Sequence, residues 1–266
     1  MTSPIVVRVK KKRIIELLAS GKRSDGRGLT EYREIQIEPG VIERAEGSAR
    51  VRLGKTEVIV GVKISTGSPF SDMPDSGVLT VNAELVPLAS PDFEPGPPGE
   101  DAVELARVVD RGIRESKAID LAKLCVESGK IVFVVFIDVY VLNHDGNLID
   151  ASALAALAAL MNTKMFNYEV EDCEIVKKPG YTPLPMVDYP IAVTFAKIGN
   201  TIVMDTGLEE EQVMDARLTI TLNKDGHICA IQKGGGSGYF TKEEILEAAK
   251  IASEKTAELR KLVVKS

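Results

Sequence analysis

Tryptophan is absent from this chain, aromatics make up only 5% of it, and it holds two histidines and three cysteines. Each shortage closes off a class of chemistry. His144 and His227 both sit beside Asp-Gly turns, so a hydrolytic triad or a multi-histidine metal centre has little to work with. Cys125, Cys173 and Cys229 are odd in number and far apart, with no Cys-x-x-Cys pair. They read as buried reduced thiols, not as a zinc site or a disulfide framework. No metal and no cofactor is expected. No apolar run approaches the roughly 20 residues of a membrane span. The basic stretch Lys10 to Arg13 is not followed by the apolar segment of a secretory signal, so the chain reads as cytoplasmic. An excess of positive charge is also missing: the net charge is −6. The protein therefore does not coat nucleic acid over its whole surface, and any contact with a polyanion must be concentrated in one place.

What is present describes an ordinary globular protein, with 44% hydrophobic and 27% charged residues. At 266 residues it can bury a full core as one large unit or two lobes. A helix is predicted over Ile5 to Gly21, then a polar turn Arg23-Ser24-Asp25-Gly26-Arg27. Strand-like segments follow at Arg33–Ile37, Gly47–Leu53 and Glu57–Ile64, the last two joined by Leu53-Gly54-Lys55-Thr56. Val78–Leu85 alternates as a strand, and Lys130–Leu142 is a nearly continuous β-branched and aromatic run, as in a strand covered on both faces. Asp150 or Ser152 can cap a small-residue helix over Ala153–Met161. A weaker echo follows, with strands at Pro190–Ala196, Thr201–Asp205, Ala216–Leu222 and His227–Gln232. A closing helix then runs from about Thr241 to Val264, where Thr241 and Glu244 fit a capping box. The expected class is α+β, two similar strands-then-helices halves. The expected division is an N-terminal helix and arm (1–30), a first lobe (31–176), a proline-rich linker (177–190) and a second lobe with the final helix (191–266).

The most informative segment is Glu104 to Leu121, read as an amphipathic helix. At about 100° per residue, Arg107, Arg111 and Arg114 fall within roughly 60° of one another, with Leu105, Val109 and Ile113 on the other side. The run Phe93 to Gly99 leads in, and Glu100 and Asp101 place acid at the helix start. An arginine row suits a line of phosphates, since each planar fork donates two parallel hydrogen bonds to one anion. The same row also fits a salt-bridged surface helix, with pairs Asp110–Arg114, Glu104–Arg107 and Glu115–Arg111 at helical spacing. Both readings stand on this segment alone.

Taken in order, several motifs make the chain similar to the RNase PH family, and within it to the non-catalytic RNase PH-type subunit of the archaeal exosome. They are Arg23-Ser-Asp-Gly-Arg27, Gly47-Ser-Ala-Arg-Val-Arg-Leu-Gly54, Phe93-Glu-Pro-Gly-Pro-Pro98, Glu104-Leu-Ala-Arg-Val-Val-Asp-Arg111, Ile137-Asp-Val-Tyr-Val-Leu142, and Glu209-Glu-Glu211 through Met214-Asp215-Ala216. Each is weak alone, but their order and spacing are specific, and they span nearly the whole chain. The resemblance implies the RNase PH-type fold (ribosomal S5 domain 2-like halves). It implies a hexameric ring in which this chain alternates with a catalytic relative, under a cap of S1/KH-type RNA-binding subunits. It also implies 3′-end trimming of single-stranded RNA with inorganic phosphate as the attacking group. Arg107 and Arg111 match the arginines with which the non-catalytic subunit grips RNA; Arg114 is the weaker match.

The resemblance also shows what is missing. Catalytic relatives cradle phosphate with a glycine followed by Ser/Thr and Arg. The matching stretch, Asp145-Gly146-Asn147-Leu148-Ile149-Asp150, has no hydroxyl and no arginine, and it brings acid to where the anion would sit. Neither a phosphate-binding nor a catalytic residue is assigned. Asp205 and Asp215 resemble acids of the active relatives, with Glu209, Glu210 and Glu211 between them, though their spacing is shorter. They read either as the acids of an autonomous exoribonuclease or as a solvated acidic turn with Asp215 anchoring the fold. Arg23 and Arg27 read as structural.

Overall fold

The computed structural model describes residues 4–171 and 174–265. In chain order the elements are α1 (Pro4–Ala19), β1 (Ile35–Pro39), β2 (Gly47–Leu53), β3 (Thr56–Gly67), β4 (Val78–Leu85), α2 (Glu100–Glu115), β5 (Cys125–Glu127), β6 (Ile131–Asn143), α3 (Leu148–Met161), β7 (Lys164–Glu171), β8 (Glu174–Pro183), β9 (Ile191–Ile198), β10 (Thr201–Met204), α4 (Leu208–Glu211), β11 (Ala216–Leu222), β12 (Ile228–Gly234) and α5 (Lys242–Lys265). One sheet runs β1-β2-β3-β6-β4, with β5 added at the start of β6, and a second runs β10-β9-β11-β12. All pairings are antiparallel except β4 with β6.

The centre of the molecule is α3. Alanine and leucine surround it on every side, and Ala151, Leu154 to Leu160 and the capping residues are buried almost without exception. A helix apolar all round must be enclosed. Here the strands β2 and β3 lie on one side, β9 on the other, and α2 and α5 close the rest. Small side chains let backbone approach backbone. At Gly47 a Cβ would strike the Thr163 side chain and stand 2.5 Å from the Ala159 carbonyl oxygen. The core consequently runs unbroken from Val58, Val60 and Val62 of the first sheet, through Leu154 and Leu157, to Val193, Phe195 and Ile220 of the second.

A smaller apolar cluster ties α1 to the second sheet, through Ile14 and Leu18 packed on Ala196, Ile198 and Val203. At the other end, Glu244 accepts from the Thr241 backbone amide and its own amide donates to the Thr241 hydroxyl, the expected capping box.

Several sequence expectations shift. Residues 177–183 are not linker: they belong to β8, which pairs with β7 in a separate two-stranded hairpin. Pro179 and Pro183 sit in this isolated hairpin, whose outer edges need no further donors. The small-residue helix begins at Leu148, five residues before the predicted start, and its cap is Asn147 in left-handed backbone (φ 49°), not Asp150 or Ser152. Cys125 and Cys229 are free but only half-buried, so burial is not their common feature; Cys173 lies outside the described residues.

The contact at Gly47 sets a test of this packing. Gly47→Ala is expected to destabilise the fold by about 1–3 kcal/mol, the range for overpacking a dense core, read as a fall in the denaturation midpoint with unchanged slope.

Candidate nucleic-acid interface

Helix α2 starts at Glu100, because Gly99 holds extended backbone just after two prolines and Glu100 and Asp101 favour the amide-rich end. It ends at Glu115, six residues short of the predicted Leu121. The stop comes from Ser116 and from Lys117, which takes left-handed backbone (φ 53°) although its residue type advertises no such turn. Leu105, Val109 and Ile113 are buried, with Ala102, Ala106, Val108 and Gly112 beside them. Arg107, Arg111 and Arg114 are all exposed.

The three arginines differ in what already holds them. Arg114 grips Asp110 through two nitrogens, at 3.0 and 2.7 Å, and donates to the Leu79 carbonyl at 3.0 Å, which fastens α2 to the edge of β4. Arg107 and Arg111 make no ion pair or hydrogen bond among the described residues. The helical pairs that would have neutralised them are not formed. Glu104, expected beside Arg107, instead reaches across to Arg217 on β11 at 2.7 Å. An open groove of about 530 Å³ runs along this face, lined by the three arginines and, from β12, by Gln232 and Lys233. Glu100, Glu104, Asp110 and Glu115 also border it, but Glu104 and Asp110 are already paired.

The turn from β6 into α3 is where an anion would be expected, since unpaired amides converge at a helix start. The chain fills that place itself. The Asn147 amide donates to Glu211 Oε1 at 2.7 Å, and its side-chain Nδ2 donates to Asp150 Oδ2 at 2.9 Å and Asp205 Oδ1 at 2.8 Å. Asp150, fully buried, also accepts from Tyr32 Oη (2.7 Å), Thr194 Oγ1 (2.7 Å) and the Thr194 amide (3.0 Å). Burial pushes its carboxyl up to about 6 against the pull of those donors. Burial raises Glu211 as well.

Asp205 is the keystone of the cluster. It takes left-handed backbone (φ 50°) and is wholly buried. Arg33 binds it through Nε (3.0 Å) and Nη2 (2.8 Å), and Arg27 adds a bond at 2.8 Å. Burial alone would raise its carboxyl, but the Arg33 bonds and charge outweigh that and hold it below the ordinary range. Arg33 also donates to the Asp145 carbonyl at 2.7 Å, so it laces the β6–α3 turn to Asp205. Arg23 is buried against Glu210 and the carbonyls of Met204 and Asp205, a structural arginine as expected.

Asp215 stands apart from this cluster. It accepts from Lys11 Nζ at 2.5 Å and from the Gly199 amide at 2.7 Å, pinning α1 to the β9–β10 turn. The acidic segment between the two aspartates is α4, not a solvated turn: Glu210 is buried and only Glu209 is exposed. His144 stacks on Phe93 (ring centroids 5.4 Å apart), and burial lowers its affinity for a proton. Among the described residues no cluster of acids, histidines and cysteines could hold a metal ion. Sequence reading missed Arg33, which lies at a strand entrance with nothing local to mark it, and did not foresee that Asp150 and Glu211, from two separate acidic segments, meet at Asn147.

Two models of the 3′ exoribonuclease family match the chain, domain 1 (RNase PH) over residues 31–165 and domain 2 over 188–255. The chain belongs to the RNase PH family. Among curated RNase PH relatives, Exosome complex component Rrp42 of Thermococcus gammatolerans is 58% identical over 264 residues, 98% of this chain and 96% of that protein. Its Methanothermobacter thermautotrophicus counterpart is 50% identical over 263 residues, 98% and 97% of the two chains. Among solved structures, a chain of the Archaeoglobus fulgidus exosome with RNA bound to the active site superposes with a TM-score of 0.88, at 48% identity and 97% and 98% coverage. A chain of an archaeal exosome core gives 0.85 at 44% identity, with the same coverage. Rice Rrp46, at 17% identity and a TM-score of 0.69 over 91% of this chain and 98% of that one, shares the RNase PH fold.

Asp205→Asn should cost about 3 kcal/mol at neutral pH, because it strands Arg33 and Arg27 with an uncharged partner. The folded-state affinity of Asp205 for a proton lies below its unfolded value of 3.8. The stabilisation is therefore full above about pH 4 and fades as pH falls through the still lower folded value. Denaturant unfolding of both proteins between pH 3 and 7 checks this: the gap must be wide at neutral pH and narrow in acid.

Proposed function

We propose that this chain is the non-catalytic subunit of a phosphorolytic 3′-to-5′ RNA-degrading exosome ring. It grips RNA backbone on Arg107 and Arg111, with Arg114 contributing less, and shapes the active site of a neighbouring catalytic RNase PH-like subunit. One observation carries the reading. The two uncommitted arginines face solvent on α2, while the anion place at the start of α3 is filled by the chain's own carboxylates. Phosphorolysis needs an inorganic phosphate seated in line with the scissile bond. Here a phosphate would meet Glu211 and Asp150, and like charge at contact distance repels it. RNA phosphates, by contrast, find two arginine forks with nothing to displace.

The kinship with Rrp42 components and the similarity to exosome chains support the ring assignment. In this reading the chain works in the cytoplasm, alternating with its catalytic relative in a hexamer beneath S1/KH-type cap subunits. The competing idea, an autonomous exoribonuclease using Asp205 and Asp215, has little support. Asp205 is buried beneath two arginines and an amide, and Asp215 is engaged by Lys11.

Two measurements test the proposal. Arg107→Ala or Arg111→Ala in the reconstituted ring should weaken single-stranded RNA of every sequence alike and flatten the salt dependence by about 0.7 in log–log slope per lost contact. An unaltered slope in both variants would sink the arginine assignment. Separately, the purified chain with labelled RNA and phosphate should release no nucleoside diphosphate; sustained release would overturn the non-catalytic assignment.

A further inference from the structure

The groove beside α2 has a second wall. Its floor on that side is β12, the edge strand of the second sheet, which lines the groove with Gln232 and Lys233. Both polar atoms of the Gln232 amide, Nε2 and Oε1, are covered from water and have no hydrogen-bond partner among the described residues. The residue facing it in register on β11 is Thr219, whose hydroxyl is already bonded to that of Thr194 at 3.0 Å. A donor and an acceptor left idle together on a binding surface are unusual, because covered amides are nearly always satisfied. Gln232 as a residue is only half-covered and lines the groove beside the arginines, and contact with a strand there requires the amide to turn outward by a change of side-chain rotamer.

We infer that Gln232 is the sugar reader of this groove, binding the ribose 2′-hydroxyl of a strand whose phosphates lie on Arg107 and Arg111. This rests on the RNA-grip reading above and deepens it. The chemistry selects the sugar over the other groups of the strand. A phosphate oxygen only accepts, so it would satisfy Nε2 and leave Oε1 idle. A base edge could satisfy both atoms, but only for particular bases. The 2′-hydroxyl both donates and accepts, recurs on every nucleotide whatever the base, and is absent from DNA. The arginines hold any polyanionic strand without regard to sugar or sequence; the amide adds discrimination for RNA.

The test uses the full chain in the reconstituted ring and three short single strands of one sequence: RNA, DNA and 2′-O-methyl RNA, with binding followed by fluorescence anisotropy at fixed salt. Gln232→Leu removes the amide and keeps an apolar stem that ends one atom short of it. It should weaken RNA about fivefold, the loss of one net hydrogen bond, and leave DNA unchanged. In the unsubstituted ring, 2′-O-methyl RNA, which keeps the acceptor and loses the donor, should bind between RNA and DNA. That arm holds whether or not the variant folds, and thermal melting of Gln232→Leu, expected to match the parent, checks the fold. Equal effects of Gln232→Leu on RNA and DNA, no effect on either, or 2′-O-methyl RNA binding as tightly as RNA would overturn the inference. If Arg107→Ala and Arg111→Ala weaken RNA while Gln232→Leu leaves the RNA-to-DNA ratio intact, only the sugar contact fails. If the arginine variants bind RNA as well as the parent, the groove itself is misassigned.

Discussion

The buried ion pair between Arg33 and Asp205 is the constraint on which the rest of this molecule leans. It joins the segment entering the first sheet to the strand end of the second, over the turn that starts the central helix. Arg33 reaches Asp205 with two nitrogens and the Asp145 carbonyl with a third, while Asn147 reaches Asp205 from the helix side. Burying charge this deeply is favourable only when every partner is in place. The left-handed backbone at Asp205 and Asn147 is the strain accepted to put them there. The same knot supports the proposed function by exclusion. The Asn147 backbone amide is committed to Glu211 and its side-chain amide to Asp150 and Asp205, while Arg27 and Arg33 are committed to Asp205. The loss of a phosphate cradle and the gain of a rigid seam are a single structural fact.

Much of the architecture could be read from pattern. Val78–Leu85, Gly47–Leu53 and Ala216–Leu222 emerge with their predicted bounds, because alternation on a half-buried sheet leaves a period of two. Failures cluster where tertiary partners override local preference. The start of α3 was placed late because Asn147 caps in a conformation that depends on Asp205, 58 residues away. Helix α2 is shorter than its periodicity predicts because Lys117 leaves helical geometry for reasons outside its own residue type. The stretch from Lys177 looked like a linker because its prolines count against a sheet interior, whereas an isolated hairpin tolerates them.

The functional residues divide along the same line. Arg107 and Arg111 could be found because helical spacing puts them on one face, a property of sequence alone. Whether they were free could not: three acids stand at pairing distance along the helix, and although Asp110–Arg114 forms as the spacing predicts, only the fold shows that Glu104 turns to Arg217. Arg33 carries no local signature, since it gains its meaning from partners in other elements, and the meeting of Asp150 and Glu211 at Asn147 is likewise set by the fold. Counting arginines therefore overstates the grip, and subtracting those with internal duties gives the surface that remains.

That subtraction also accounts for how an acidic protein can handle a polyanion. Of the three arginines on α2, one secures the helix to the edge of β4, and two make no ion pair beside a groove where two of the four bordering acids are already paired. Attraction for a charged strand depends on the local field at close range, since charges more than about 10 Å away are screened at moderate salt. The net charge of −6 is thus compatible with a gripping surface, provided the cations there are uncommitted. In the proposed reading, a subunit built this way offers RNA backbone a track beside a turn lined with its own carboxylates, and binding and bond-breaking are divided between neighbours.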